Sequence, residues 1–403
     1  MNPQDRWILP EGVEEVLPPR AAALDRLRSE LLDLYRCWGY DLVYPASIEF
    51  LESLLIGTGN DLDLMTFKLT DQLSGRLMGV RADMSTQVAR IDAHQLRKEG
   101  PVRLCYSGTV LHTRGDDFGG SRSPMQIGAE LYGHAGVESD LEVISLMLES
   151  LVLAGIDGLH LDLGHVGIYR GLARNAKLSV DQEATLFDAL QRKAEPEIKA
   201  LLDAWSLDAE EARMLISLAR LDGGAEALVE ADRLLGAAGS QIQEHLATLR
   251  RLAAELEHRY PDVSLHFDLA ELRGYHYHTG LVFGAYIPGY GDVVARGGRY
   301  DNIGAVFGRG RPATGFSADL KTLLVLGRHD SGVAPIAIFA PRSDDGSLTA
   351  AVDGLRARGE RVIRELPGQT AQPEALGCDR CLVQHAGDWV VEPIAQTEST
   401  DTS

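Results

Sequence analysis

The stretch VRLCYSGTVLHTRGDDFGGSRSPMQIGAELYGH, residues 102–134, decides the fold class. Its two ends are apolar runs that read as strands. Between them GDDFGGSR (residues 115–122) is glycine-rich and charged, which marks an exposed, mobile loop. Upstream, MTFKLTD (65–71) and GRLMGVRAD (75–83) form a second strand pair across a polar turn at Gln72–Gly75. Before these, Leu24, Leu27, Leu31 and Leu34 recur at helical spacing and predict a helix over Pro19–Trp38, stopped by Gly39. YDLVYP (40–45) then reads as a strand edged by Pro45.

Downstream, Asp140–Ala154 is an apolar helix, and Leu159, Leu161 and Leu163 alternate as on a strand with one buried face. From Ile168 to about Tyr260 the pattern is helical only, with Leu246, Leu249, Leu252 and Leu256 marking the last helix. Strands resume at LHFDLAELRG (265–274), HTGLVFGAY (278–286) and GDVVARGGRYD (291–301), and a helix is predicted over Ser317–Leu326. A core of antiparallel strands flanked by helices and interrupted by a helical insertion is an α+β architecture. No GxGxxG or GxxxxGKS follows a strand, so neither a dinucleotide-binding nor a P-loop fold is indicated. The expected layout is a discontinuous core of 1–167 and 261–328, a helical insertion of 168–260 and a small α/β unit of 334–395. GRHDSGVA (327–334) marks the last boundary, and QTESTDTS (396–403) is a polar tail expected to be disordered.

A chain of 403 residues exceeds what one core usually supports, in keeping with that division. Acidic residues outnumber basic ones 59 to 39, giving a net charge of −20, and no Lys/Arg stripe interleaved with aromatics is visible. A nucleic-acid grip needs cations to displace phosphate counterions, so tRNA is a poor expected partner. No apolar run reaches the roughly 18 residues that span a bilayer, and the N-terminus lacks a secretory pattern, so a cytoplasmic location is expected. The four cysteines are too few for a disulfide framework. Cys378 and Cys381 form a CxxC that runs into strand-like sequence, without the second ligand pair of a zinc site.

Five ordered stretches carry a family resemblance. WGYDLVYPASIE (38–49), LMGVRADMSTQVAR (77–90), SPMQIGAELYG (123–133), LRGYHYHTGLVFGAY (272–286) and ARGGRYDNI with ATGFSADLKTLL (295–303, 313–324) resemble the catalytic core of class II histidyl-tRNA synthetases. The resemblance implies a synthetase-like sheet, dimerisation through the first of these stretches, and a histidine-binding cleft. By position it nominates Asp83, Ser85, Gln126 and Glu130 with Arg273, Tyr277 and His278. Acids suit an ammonium and an imidazole, while a guanidinium or amide suits a carboxylate. Asp83 and Ser85, two apart, are expected on one side of a strand, as are Gln126 and Glu130. The same side chains read alternatively as polar remnants of a cleft that binds nothing.

Two departures bear on function. The synthetase FRxE arginine, which meets the ATP α-phosphate, aligns with His112 in LHTR. The arginine of the GLER sequence, which meets the γ-phosphate, aligns with Thr322 in DLKT. Neither side chain reproduces a guanidinium fork. Each lost charge-assisted pair is worth roughly 1.5–3 kcal/mol, so losing both costs about two to four decades in binding or rate. His276 and His278 form an HxH, but a third ligand is not in view, and no metal or cofactor is expected.

VRADMSTQVAR (80–90) and DLGH (162–165) look like the regulatory branch of this family, the ATP phosphoribosyltransferase regulatory subunits. That resemblance implies a non-catalytic chain that joins the short-form catalytic subunit in a hetero-octamer, activates it, and conveys feedback by L-histidine. The other readings are an active histidyl-tRNA synthetase and a histidine-sensing module with another partner.

Overall fold

Leu24, Leu27 and Leu31 are buried along one side of helix α1 (Arg20–Cys37). The fourth place in the stripe belongs to Tyr35, not Leu34, which is only half-buried. The Tyr35 ring meets Phe316 edge-on at 6.0 Å, and its hydroxyl accepts a hydrogen bond from Ser150 at 3.3 Å. Gly39, at φ +84°, turns the chain away from the helix. The structure, a computed structural model, describes residues 7–55, 60–115, 120–271, 277–328, 336–369 and 372–394. The loop tip at 116–119, Arg273, His276, the junction at 329–335 and the tail at 396–403 lie outside the described residues. The chain divides into two compact units, one of Met1–Glu15 with Leu24–His329 and one of Val16–Ala23 with Asp330–Ser403.

In chain order the first unit's strands are β1 (Asp41–Leu42), β2 (Ile48–Phe50), β3 (Lys68–Thr70), β4 (Leu77–Val80), β5 (Val102–Thr109), β6 (Met125–Tyr132), β7 (His160–His165), β8 (Asp222–Gly223), β9 (Ser264–Asp268), β10 (Leu281–Tyr286), β11 (Ala295–Arg299) and β12 (Ala313–Asp319). Nine of them form one sheet in the order β1-β5-β6-β12-β11-β10-β7-β9-β8. From β5 to β7 every pairing is antiparallel. The sheet is nonetheless mixed, because β1 runs parallel to β5 and β9 parallel to β7. Both parallel strands reach the sheet after long excursions of chain, which free them from the hairpin rule. A separate three-stranded sheet, β2-β4-β3, holds the strand pair read at 65–83.

Short helices α2 (Leu51–Leu54), α3 (Asn60–Met65) and α4 (Ser85–Arg90) decorate the small sheet and lead away from it. Helix α5 (Val137–Leu153) packs Ile144, Met147, Leu148 and Leu151 into the core behind the large sheet. It begins earlier than its apolar run, because Glu138 and Asp140 suit the positive end of the helix dipole. Between β7 and β9 come α6 (Val166–Asn175), α7 (Val180–Gln191), α8 (Glu195–Ala204), α9 (Ala209–Leu218), α10 (Ala225–Leu234) and α11 (Ser240–Arg259). This block is not wholly helical: the two-residue β8 pairs with β9 and closes the sheet edge. The helix expected from Ser317 starts later, as α12 (Leu320–Leu326). Ser317, Ala318 and Asp319 instead pair with Gly128, Ile127 and Gln126, so sheet hydrogen bonds override the local helical pattern. Among the described residues no helix is long and apolar enough to cross a membrane.

In the second unit β13 (Ala337–Ala340), α13 (Gly346–Ala357) and β14 (Val362–Arg364) make a parallel βαβ element, followed by β15 (Cys378–His385) and β16 (Asp388–Pro393). Its core is Ile338, Ala340, Leu348, Val352, Leu355, Val362 and Leu382, with Trp389 and Val391 against it. Asp345 caps α13 through Ser347 N at 2.9 Å and also accepts from the Trp389 indole at 3.2 Å, tying the helix to the last strand. Cys378 and Cys381 are both free thiols within β15. Burial pushes both thiols up, away from a reactive thiolate.

Candidate functional site

Strand β6 sends Gln126, Gly128 and Glu130 to one face, and its neighbours make room there. Gly128 lies opposite Tyr106 on β5, and a Cβ at Gly128 would sit 2.6 Å from the Tyr106 hydroxyl. Gly315 on β12 lies opposite Glu130, and a Cβ there would run into the Glu130 carboxyl. Two glycines therefore make a recess in the middle of the sheet that the Tyr106 hydroxyl and the Glu130 carboxyl fill. Glu130 is only 1% exposed within it. Tyr106 donates to Glu130 Oε1 at 3.0 Å, and the Tyr300 hydroxyl donates to Oε2. Burial pushes the Glu130 carboxyl well above the ordinary range, and the negative charge of Asp83 adds to this against the opposing hydroxyl hydrogen bonds.

Asp83 and Ser85 do not share a strand. Strand β4 ends at Val80, and Ser85 opens α4, because the Asp83 carboxylate accepts from Ser85 N at 2.7 Å and turns the chain into the helix. Asp83 Oδ2 takes Gln126 Nε2 at 2.8 Å, and Gln126 Oε1 takes Met84 N at 3.0 Å. Ser85 Oγ lies 3.2 Å from the Tyr106 hydroxyl. The four nominated residues from the second and third stretches thus form one connected network, joined through Tyr106. Gln126 and Glu130 do share a strand face.

Tyr277 lies tilted against Tyr300 at 5.0 Å and edge-on at 5.4 Å against His278. Its hydroxyl is buried with no hydrogen-bond partner among the described residues. Burial, followed by the nearby carboxyls of Glu130 and Asp83, pushes its pKa well up. The His278 ring lies over Gly298, within 2.7 Å of where a Cβ would stand. Its carbonyl accepts from Arg170 on α6 at 2.8 Å.

The two clamp positions face inward to local partners. His112 Nε2 lies 2.9 Å from the Ala82 carbonyl oxygen. Thr322 donates to Asp319 Oδ2 at 2.9 Å, while Asp319 Oδ1 takes Lys321 N at 3.2 Å and Met125 N at 2.9 Å. Lys321 and Arg122 stand beside these positions, and both are engaged. Lys321, 8% exposed, donates to the Ser123 carbonyl at 2.8 Å and pairs with Glu14 at 3.2 Å. Arg122 donates to the carbonyls of His112 at 3.1 Å and Glu11 at 3.0 Å. Arg299, at the end of β11, binds Asp140, Ser139 and Asp301 together with the carbonyls of His134 and Gly136. It is a buried clamp for the sheet.

Sequence reading missed Tyr106, Tyr300, Lys321 and Arg170. The first two carried one signal: each is a polar-tipped aromatic beside a glycine-bearing strand. Their convergence on Glu130 depends on register, which one strand's sequence does not reveal.

Fold and cleft together are those of a class II histidyl-tRNA synthetase-like protein. The histidyl-tRNA synthetase family model matches residues 12–323, and the model for the ATP phosphoribosyltransferase subunit HisZ C-terminal domain matches residues 335–392. The chain belongs to the family of ATP phosphoribosyltransferase regulatory subunits. It is 58% identical over 392 residues to the protein of that description from Thioalkalivibrio sulfidiphilus, covering 97% of this chain and 99% of the relative. The one from Alkalilimnicola ehrlichii is likewise 58% identical, covering 97% and 98%. Among solved structures, an ATP phosphoribosyltransferase regulatory subunit/histidyl-tRNA synthetase from Bacillus halodurans superposes with a TM-score of 0.82 at 26% identity, covering 93% of this chain and 97% of that one.

Proposed function

We propose that this chain is the non-catalytic partner of the short-form ATP phosphoribosyltransferase catalytic subunit in the cytoplasm. It assembles with that subunit as a hetero-oligomer, activates it, and conveys feedback by L-histidine on the first step of histidine biosynthesis. The observation that carries the non-catalytic part is the pair His112 and Thr322, each bonded to its own neighbourhood where a triphosphate clamp would need a free guanidinium. Lys321 is held by Ser123 and Glu14, and its ammonium is not the planar fork that such a clamp presents.

L-histidine occupies the recess around Glu130 in this reading. Asp83 and Glu130 offer acids for the ammonium and the ring, Gln126 an amide for the carboxylate, and Ser85 a further hydroxyl. Arg273 is proposed as the carboxylate's guanidinium, and His278 as part of the wall. The unpartnered Tyr277 hydroxyl supports a ligand here, since buried polar groups ordinarily find partners. The chain also pairs with a second copy through the segment 38–49, where Leu42, Tyr44 and Ile48 are exposed.

The test is the ATP phosphoribosyltransferase rate of the catalytic subunit with and without this chain, titrated with L-histidine. A rate increase on adding the chain, reversed by histidine, is expected. An unchanged rate at saturating chain overturns the reading. Histidine-dependent ATP–pyrophosphate exchange by the chain alone would point to a synthetase instead.

A further inference from the structure

Helix α6 is fastened at two points to the segment that carries Tyr277. Val166 N donates to the Gly280 carbonyl at 3.0 Å, and Arg170, one turn along the same face, donates to the His278 carbonyl at 2.8 Å. The segment is fixed on its other flank by Thr279 N, which donates to the Arg299 carbonyl at 2.7 Å. Tyr277, at the segment's start, carries the buried unpartnered hydroxyl beside Glu130. Tyr277 therefore adjoins a residue whose carbonyl Arg170 grips directly.

The rest of α6 is bound into the helical lobe. His165, which caps α6 by accepting from Gly167 N, stacks on His245 of α11 at 4.1 Å. A Cβ at Gly171 would stand 2.8 Å from Ile242, so the two helices touch with no slack there. Asn175 donates to the Ala238 carbonyl at 2.8 Å, just before α11 begins. Helix α6 is thus a short rigid element between the candidate histidine recess and α11. Packed interfaces of this kind shift as units and do not deform gradually.

We infer that Arg170 is a positioning residue that couples occupancy of the recess to the helical lobe, and so to the catalytic partner. Resting on the histidine reading above, this inference adds the route by which the signal leaves the site. Arg170 is not among the residues proposed above to hold histidine. It acts through the His278 carbonyl, so its loss uncouples histidine binding from inhibition and spares binding itself.

The test uses the reconstituted complex with the short-form catalytic subunit and three variants, Arg170→Met, Arg170→Lys and Asp83→Asn. L-histidine binding is measured by calorimetry, and inhibition by the phosphoribosyltransferase rate. For Arg170→Met the expected result is activation without histidine within twofold of the natural complex, a histidine Kd within threefold, and an inhibition midpoint raised at least tenfold. Arg170→Lys keeps a cationic donor and brings the midpoint back to within threefold. Asp83→Asn loses binding and inhibition together. Inhibition of Arg170→Met at the natural midpoint overturns the coupling while leaving the histidine reading intact. So does parallel loss of binding and inhibition in both Arg170 variants, which marks a merely structural role. Absence of histidine binding by the natural complex removes the reading and the coupling with it.

Discussion

The Tyr300 hydroxyl donates to Oε2 of Glu130, the oxygen that Tyr106 leaves unused. Burial is the largest reason that the Glu130 carboxyl holds its proton far above the ordinary range. In the unfolded chain this group ionises near its ordinary value of 4.5. Above that pH the folded state keeps a proton that the unfolded state has lost, so stability falls as pH rises toward the folded pKa. Glu130→Gln removes this titration while keeping the size. The melting temperature of the variant minus that of the natural chain is expected to climb between pH 5 and pH 8. Parallel melting curves across that range would show that Glu130 ionises freely in the fold.

Gly315 tests the recess by volume. The carboxyl of Glu130 stands where a Cβ would go, and the Tyr300 hydroxyl is only 2.8 Å from the same point. Gly315→Ala must push a hydrogen-bonded pair aside in a packed interior, an overpacking cost of about 1–3 kcal/mol. Urea unfolding reads that loss, and calorimetry should find L-histidine binding abolished. A variant that unfolds and binds like the natural chain would mean the recess is looser than its geometry implies.

Lys321 and Glu14 allow the ion pair to be separated from the buried hydrogen bonds. Glu14 is 44% exposed on its side chain, so screening by water limits the pair to less than about 1 kcal/mol. The Lys321 ammonium is buried against Ser123, and losing it strands that carbonyl as well as a packed aliphatic stem. Lys321→Ala is therefore expected to cost about 2–3 kcal/mol in urea unfolding, and Glu14→Ala within about 1 kcal/mol. Equal losses would assign the stabilisation to the pair.

Sequence alone reached the strand positions because burial writes a period of two, as at Leu161 and Leu163, and reached α1 because Leu24, Leu27 and Leu31 write a helical one. It failed where a distant partner outweighs the local pattern. Ser317–Asp319 runs without a break into the helix that follows, yet β6 claims it as strand. Asp83 and Ser85 have strand spacing, yet one side-chain hydrogen bond to Ser85 N turns them into a helix start. The candidate site was legible as residue types and not as a network, since Tyr106 and Tyr300 meet Glu130 only through the register of β5, β6, β11 and β12. Arg170 lies over a hundred positions from His278 and belongs to no recognisable stretch.

The stacked pair His165 and His245 gives a prediction of opposite sign to that for Glu130. Burial, then the neighbouring His245 and Arg299, lower the His165 pKa to about 3 from an ordinary 6.5. The folded state keeps this imidazole neutral, while the unfolded chain takes up a proton below pH 6.5. Stability is therefore present above the unfolded pKa and is lost as pH falls from 6.5 toward 3. Each unit in that window costs about 1.4 kcal/mol, approaching about 2 kcal/mol by pH 5. His165→Asn keeps an acceptor for Gly167 N and removes the titration. Although less stable than the natural chain at pH 7.5, the variant is expected to narrow that gap by at least about 1 kcal/mol at pH 5 in urea unfolding. A gap that stays constant would mean that His165 protonates within the fold, and that the ring stack tolerates a charge.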